Sequence, residues 1–225
     1  TPFYLNFNYL YYSFNNMQDK ILRDKKANDP WARMTTRNGF SADEIISSFQ
    51  KAIRRNMVEE ACEFAYELYI SSPELEDKLW RRILTISVED IGMGDPSAVI
   101  IINNLNQVRK EYSYADGDRP LFFIHAIRYL CACEKDRSSD LLKNIIIKGF
   151  AMGKVPEVMD VALDKHTYRG LEMGRDSFHF LNEASIVIPE KEVDNDYKER
   201  YLKILEKYKQ EEVIDTAFKF NHWQY

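Results

Sequence analysis

From Ser41 onward, apolar residues recur three and four positions apart, the spacing of one face of an α-helix. Ile45, Phe49, Ala52 and Ile53 mark the first such face. Ser41 and Glu44 in front of it make a capping-box pattern, in which the hydroxyl accepts from a first-turn amide and the glutamate reaches back. Asn56 interrupts this helix, and a second is predicted from about Val58 to Ile70, with Ala61, Cys62, Ala65, Leu68 and Tyr69 inward. Ser72 and Pro73 start a third, as N-cap and first helical residue. Its face is Leu75, Leu79, Ile83 and Ile86, and it stops at Gly92-Met-Gly94. Asp95-Pro96 opens a fourth, carrying Val99, Ile102 and Leu105. Pro120 opens a fifth that runs through Cys133, with Phe122, Ile124, Ile127 and Leu130 as its core stripe and His125 as a hydrogen-bonded core histidine. Ser138 or Ser139 caps a sixth to about Gly149, and Pro156 starts a short seventh. Residues 164–189 read as an irregular polar loop. A charged helix from Asp194 to about Glu211 follows, packed through Tyr197, Tyr201, Ile204 and Tyr208. No long run alternates with period two, so the predicted class is all-α, a compact multi-helix bundle.

Composition agrees. Gly 8 and Pro 7 make 15 of 225 residues, about 7%, against ~12% in ordinary chains. That is too few turns for a β-sandwich or barrel. A hydrophobic share of 45% is ample for a core and excludes a disordered chain. Lys+Arg 31 against Asp+Glu 36 leaves −5, which argues against a protein that coats nucleic acid, though not against a local basic patch. Three cysteines, Cys62, Cys131 and Cys133, predict reduced thiols in a cytoplasmic protein. No apolar run reaches the ~20 residues of a membrane helix. Residues 1–16 carry no charge and seven aromatics, which predicts an arm docked on the body or on a neighbouring subunit; Phe218–Tyr225 forms an aromatic tail. The organisation predicted is an arm and charged linker over 1–40, a helical domain over 41–190, and a C-terminal helix and tail over 191–225.

Two strings carry a resemblance: Lys51-Ala-Ile-Arg54, and Trp80-Arg-Arg-Ile-Leu-Thr-Ile-Ser-Val-Glu-Asp-Ile-Gly-Met-Gly-Asp-Pro96, joined by a paired-helix unit with small residues. With the later helix Phe122 to Ala132, they resemble the C-terminal region of the RarA/MgsA family of replication-associated recombination AAA+ ATPases, which includes the Werner helicase-interacting protein. The match covers 41–150, and 151–190 loosely. It implies a fold like the clamp-loader collar, assembly into a homo-oligomer (a tetramer rather than a dimer), a setting in DNA replication or repair, and an AAA+ ATPase or replication protein as partner. It does not imply ATP hydrolysis. The chain has no G-x-x-x-x-G-K-[ST] loop, since Gly149-Phe-Ala-Met-Gly153-Lys154 has neither the spacing nor the hydroxyl. The expectation is therefore a stand-alone, non-enzymatic relative with no cofactor and no metal.

The polar segment 164–183 concentrates the candidate chemistry. His166 suits proton transfer near neutral pH, with Asp164 to fix its tautomer. Arg169 and Arg175 suit bidentate capture of phosphate or carboxylate. Gly170 and Gly174 admit close backbone approach, and Thr167 and His179 complete the candidate ligand set. No catalytic residue is assigned. The bland alternative is a loop braced by its own ion pairs; the functional one is a small nucleotide- or nucleic-acid-binding protein or enzyme. Lys51, Arg54 and Arg55 form a basic edge, either a solvated helix face or a weak, salt-sensitive DNA contact. Arg81, Arg82, Glu89 and Asp90 predict an ion-pair network fixing the turn at Gly92–Pro96.

Overall fold

A computed structural model of the chain describes Lys20 and residues 28–210; the aromatic arm and tail predicted above lie outside them. The chain divides at Gly153 and Lys154 into two compact units. Among the described residues there is no strand, only one isolated bridge between Thr35 and Ser41, so the molecule is all-α.

The first unit opens with a 3-10 turn, Pro30–Arg33, then α1 (Ala42–Arg54), α2 (Val58–Ser71) and α3 (Pro73–Ile86). α3 runs on into a π-helical turn, Ser87–Ile91, and a 3-10 turn, Gly92–Gly94. α4 (Ala98–Val108), α5 (Arg119–Ala132) and α6 (Ser138–Ala151) complete it. α1 and α2 pack most extensively, and Ala52, Ala61 and Ala65 are buried on them, small side chains that allow helices a close approach. Asn56, in the left-handed region at φ 58, makes the tight link between them. All four residues of the predicted α3 face are buried, and Ser72 caps that helix by accepting from the Leu75 amide at 3.1 Å. Phe49, Trp80, Ile102 and Phe123 join them in one core.

Three predicted details differ. Ser41 stands at the N-cap of α1, but its hydroxyl donates to Asp43 Oδ1 and not into a capping box, because the nearer carboxylate captures it. On α5 the buried stripe is Phe123, Ala126, Ile127 and Leu130, with Phe122 and Ile124 only half-buried. That register turns His125 out into solvent; it is not a core histidine. The cap of α6 is also not a serine. Asp136, two residues ahead, accepts from the Ser138 amide at 2.7 Å.

A buried charge cluster ties α3 to the far end of the unit. The Glu76 carboxylate, 1% exposed, receives Arg109 at 3.0 Å and Arg119 at 2.9 Å. Arg109 also reaches Asp77 at 2.8 Å and lies over the Trp80 ring. Beside it, the hydroxyls of Tyr69 and Tyr114 each donate to the other's carbonyl.

The second unit contains a 3-10 turn, Asp160–Ala162, then α7 (Tyr168–Glu172), α8 (Ser177–His179) running into a π turn, Phe180–Ala184, and α9 (Tyr197–Gln210). Pro156 starts no helix. Val155 before it offers no capping oxygen, and the chain stays irregular to Met159. α9 begins at Tyr197 rather than Asp194, since Asn195 Oδ1 accepts from the Tyr197 amide.

Candidate functional site

Glu89 and Asp90 sit on the π turn, just ahead of Gly92, and present two adjacent carboxylates to the same cations. Asp90 is fully buried. It accepts from Gln50 Nε2 at 2.8 Å and Arg54 Nε at 2.5 Å, and Arg137 Nε lies 3.3 Å away. Glu89 takes Arg54 at 2.8 Å and Arg137 at 3.6 Å. The predicted network is present with different cations. Arg82 reaches Gln50 Oε1 at 3.2 Å instead of Glu89, because the π turn rotates residue 89 off the helical register that put the two on one face. Gln50 and Arg54, one helical turn apart on α1, carried a sequence signal as a same-face pair. Arg137 carried none.

This cluster anchors the entry to α6. Arg137 also holds Asp140, which Lys143 reaches at 2.7 Å; that lysine and then Arg137 keep the Asp140 carboxyl below the usual carboxylate range. Residues 134–136 run directly across the glycine turn. A Cβ on Gly92 would meet Asp136 O at 2.4 Å, and one on Gly94 would meet Glu134 O at 2.5 Å. The Asp136 amide donates to Ile91 O at 3.1 Å. Lys135 Nζ closes the end of α5 by donating to three carbonyls, those of Leu130, Cys131 and Cys133. Asp95 accepts from Ser97 and Tyr129, and these hydrogen bonds lower its carboxyl to about 2. Burial and then that carboxylate push the Tyr129 phenol up to about 12.

α6, so held, buries none of its residues. Leu141, Leu142, Ile145, Ile146 and Phe150 fall on one broad arc at helical spacing, each between 49% and 66% exposed, with Asp140, Lys143, Asn144 and Lys148 on the other arc. An apolar arc of this width ordinarily faces a core. Periodicity alone makes α6 one more bundle helix; only the structure shows that the first unit leaves its apolar arc open.

The basic edge is less basic than it reads. Arg54 is committed to Glu89 and Asp90. Lys51 reaches Ser47 Oγ and Arg55 reaches the Lys51 carbonyl, both on the exposed side of α1.

In the second unit, Asp164 Oδ1 and Oδ2 accept from the His166 amide at 2.9 Å and face its Nδ1 at 3.0 Å. Those bonds, the ring first, hold the Asp164 carboxyl below its ordinary value. The Asp164 carbonyl is packed so tightly on Gly170 that a Cβ there would lie 1.9 Å away. Thr167 caps α7 by accepting from the Gly170 amide at 3.0 Å. Asp176 caps α8 and takes Lys209, which lowers it to about 2. The His166 imidazole is exposed and stands edge-on to Phe180. Arg175 donates to the carbonyls of Asp160 and Leu163 and to the Asp160 carboxylate at 2.6 Å. Arg169 is exposed and pairs with nothing among the described residues. His179 is mostly buried, its ring nitrogens without a hydrogen bond among the described residues, and Glu183 Oε2 lies 3.5 Å from Nε2. Asp164, His166, Thr167 and Gly170 therefore come together, while Arg175 is occupied by backbone and Arg169 points to solvent.

The thiols are free. Burial pushes Cys131 up to about 11 and raises Cys62 and Cys133, which suppresses thiolate chemistry. Among the described residues there is no grouping of metal ligands, and no helix is long and apolar enough to cross a membrane.

No family model matches the chain. It is 29% identical over 139 residues to the replication-associated recombination protein A of Bacillus subtilis (strain 168), an alignment that covers 62% of this chain and 32% of that protein. The chain thus spans about a third of the length of the curated relative it matches. That likeness supports relatedness to the replication-associated recombination protein.

Proposed function

We propose that the chain is an assembly module corresponding to the C-terminal, collar-like region of its relative, and that copies of it associate through α6 in the setting of replication-associated recombination. The observation that carries this is the apolar arc of α6, presented outward on a scaffold of buried charge. Such a surface left in water favours association. A second copy suits it, because a two-fold sets the same apolar arc against itself. A tetramer uses this contact and one more. The related AAA+ ATPase is the natural partner of such an assembly, in the cytoplasm. Any DNA contact is weak and falls with salt, since Lys51 and Arg55 alone of the basic edge keep their charge free of carboxylates.

Light scattering on the full chain tests the reading. The expected mass is at least twice 26.6 kDa, and Ile145→Glu with Leu142→Glu returns it to one chain with an unchanged helical spectrum. A wild-type chain that stays monomeric at every concentration overturns the proposal. An unchanged oligomer in the double variant moves the interface elsewhere.

A further inference from the structure

Behind α3, the side chains of Asp77, Trp80, Arg81, Asn106, Arg109 and Lys110 line a cavity of about 250 Å³ that the assembly reading does not use. Its lining is unbalanced. The Trp80 indole N–H is buried and finds no acceptor among the described residues, although a buried donor ordinarily has one. Asn106 turns its amide oxygen to Arg109 Nε at 3.2 Å, which leaves its NH₂ group to donate elsewhere. Lys110 gives one proton to Gln107 Oε1 at 3.1 Å and keeps two. The Arg81 guanidinium is exposed and makes no ion pair among the described residues. Arg109 binds Glu76 and Asp77 with one N–H of each terminal nitrogen. Within the cluster two carboxylates, Glu76 and Asp77, meet four cations, Arg81, Arg109, Lys110 and Arg119.

Five donor-bearing side chains and one rim carboxylate call for a ligand that only accepts. We infer that the cavity binds a phosphate group, with the Trp80 N–H and the Asn106 amide donating from its floor and Arg81 and Lys110 closing on it from the rim. Arg109 is held in place by Glu76 and Asp77, so the floor is pre-organised and an anion orders only the two rim side chains. A phosphate sets several acceptor oxygens apart in space and so reaches donors on floor and rim together, which a single-atom acceptor such as water or chloride does less well. The group is carried either by a small phosphomonoester or by the backbone of a nucleic-acid strand.

The test uses the full chain with ¹⁵N-labelled tryptophan, whose three indole signals come from Trp31, Trp80 and Trp223. Trp80→Phe assigns the signal, or Trp31→Phe and Trp223→Phe do so by elimination if that variant fails to fold. Inorganic phosphate is titrated at fixed ionic strength against chloride. The Trp80 N–H resonance is expected to move downfield and saturate, and Arg81→Ala with Lys110→Ala weakens the midpoint about tenfold or more without moving the other two signals. Thymidine monophosphate and a dithymidine phosphodiester form the second arm, and the tighter of them names the source. A Trp80 signal that ignores every phosphate, that answers chloride equally, or that titrates identically in the double variant overturns the site. The α6 variants can be used throughout, so the result stands apart from the assembly question.

Discussion

The two units are held together by opposite means. Residues 28–153 enclose an apolar core in which Phe49, Leu79, Ile83 and Phe123 are inaccessible to solvent. Among the described residues of 154–210, the buried ones are Asp164 and Gly170. There a polar side chain occupies the place a leucine would take, and the fold is held by caps at Thr167 and Asp176, the Arg175 brace and the Lys209 ion pair. Buried apolar area is insensitive to salt and to most of the pH range, whereas short polar bonds near solvent respond to both. The second unit therefore belongs at the low end of local stability, where opening is frequent.

The comparison can be strained hardest at Glu76. Glu76→Gln leaves Arg109 and Arg119 buried with half their partners, and the first unit is expected to lose about 3–5 kcal/mol in denaturant unfolding. Leu79→Ala comes next, at about 2–5 kcal/mol, for the apolar burial removed and the cavity left behind. Neither change should alter proteolysis within 154–210 while the first unit stays folded.

In the second unit, Arg175→Ala removes the donor to two carbonyls, and about 1–2 kcal/mol of local protection is expected to go, read by hydrogen exchange over 160–180. Arg169→Ala, an exposed arginine on the same segment, should stay within about 0.5 kcal/mol. Equal losses from the two variants would erase the distinction drawn between them.

Acid gives the smallest and most graded effect. Asp95 and Asp176 both titrate near 2 when folded, below the ordinary aspartate value. A depressed folded value contributes stability that is present above the unfolded pKa and is lost as pH falls through the folded one. Both units should weaken between about pH 4 and pH 2. Added salt should shrink the loss in the second, where screening of the exposed Lys209 returns the Asp176 carboxyl toward its ordinary value, more than in the first, where Asp95 leans on neutral hydroxyls. Exchange measured at two ionic strengths separates them.

Periodicity made the helices of the first unit legible because its core obeys one face per helix. The α3 face reads directly from Leu75 to Ile86. It failed where another force set the geometry. His125 lies outside because the α5 stripe turns on Phe123 rather than on Phe122. Arg82 and Glu89 part because a π turn inserts between them, and nothing local announces it. Asp164 and His166 were legible as a pair because they are two residues apart. The division of labour between Arg169 and Arg175 was not, since it depends on where the carbonyls of Asp160 and Leu163 arrive in space. The donor-rich cavity escaped for the same reason: Trp80 and Asn106 meet only through the crossing of α3 and α4.

The strip 134–136 lies on Gly92 and Gly94 with no room for one carbon atom. In a saturation library, those two positions should return glycine and nothing else, a pair of single-letter columns beside neighbours that vary. Gly117, open on every side, should fill with many residues. The contrast turns a packing distance into a fitness map, and a selection that reports only folded protein would trace the path of the chain into α6 from sequencing counts alone.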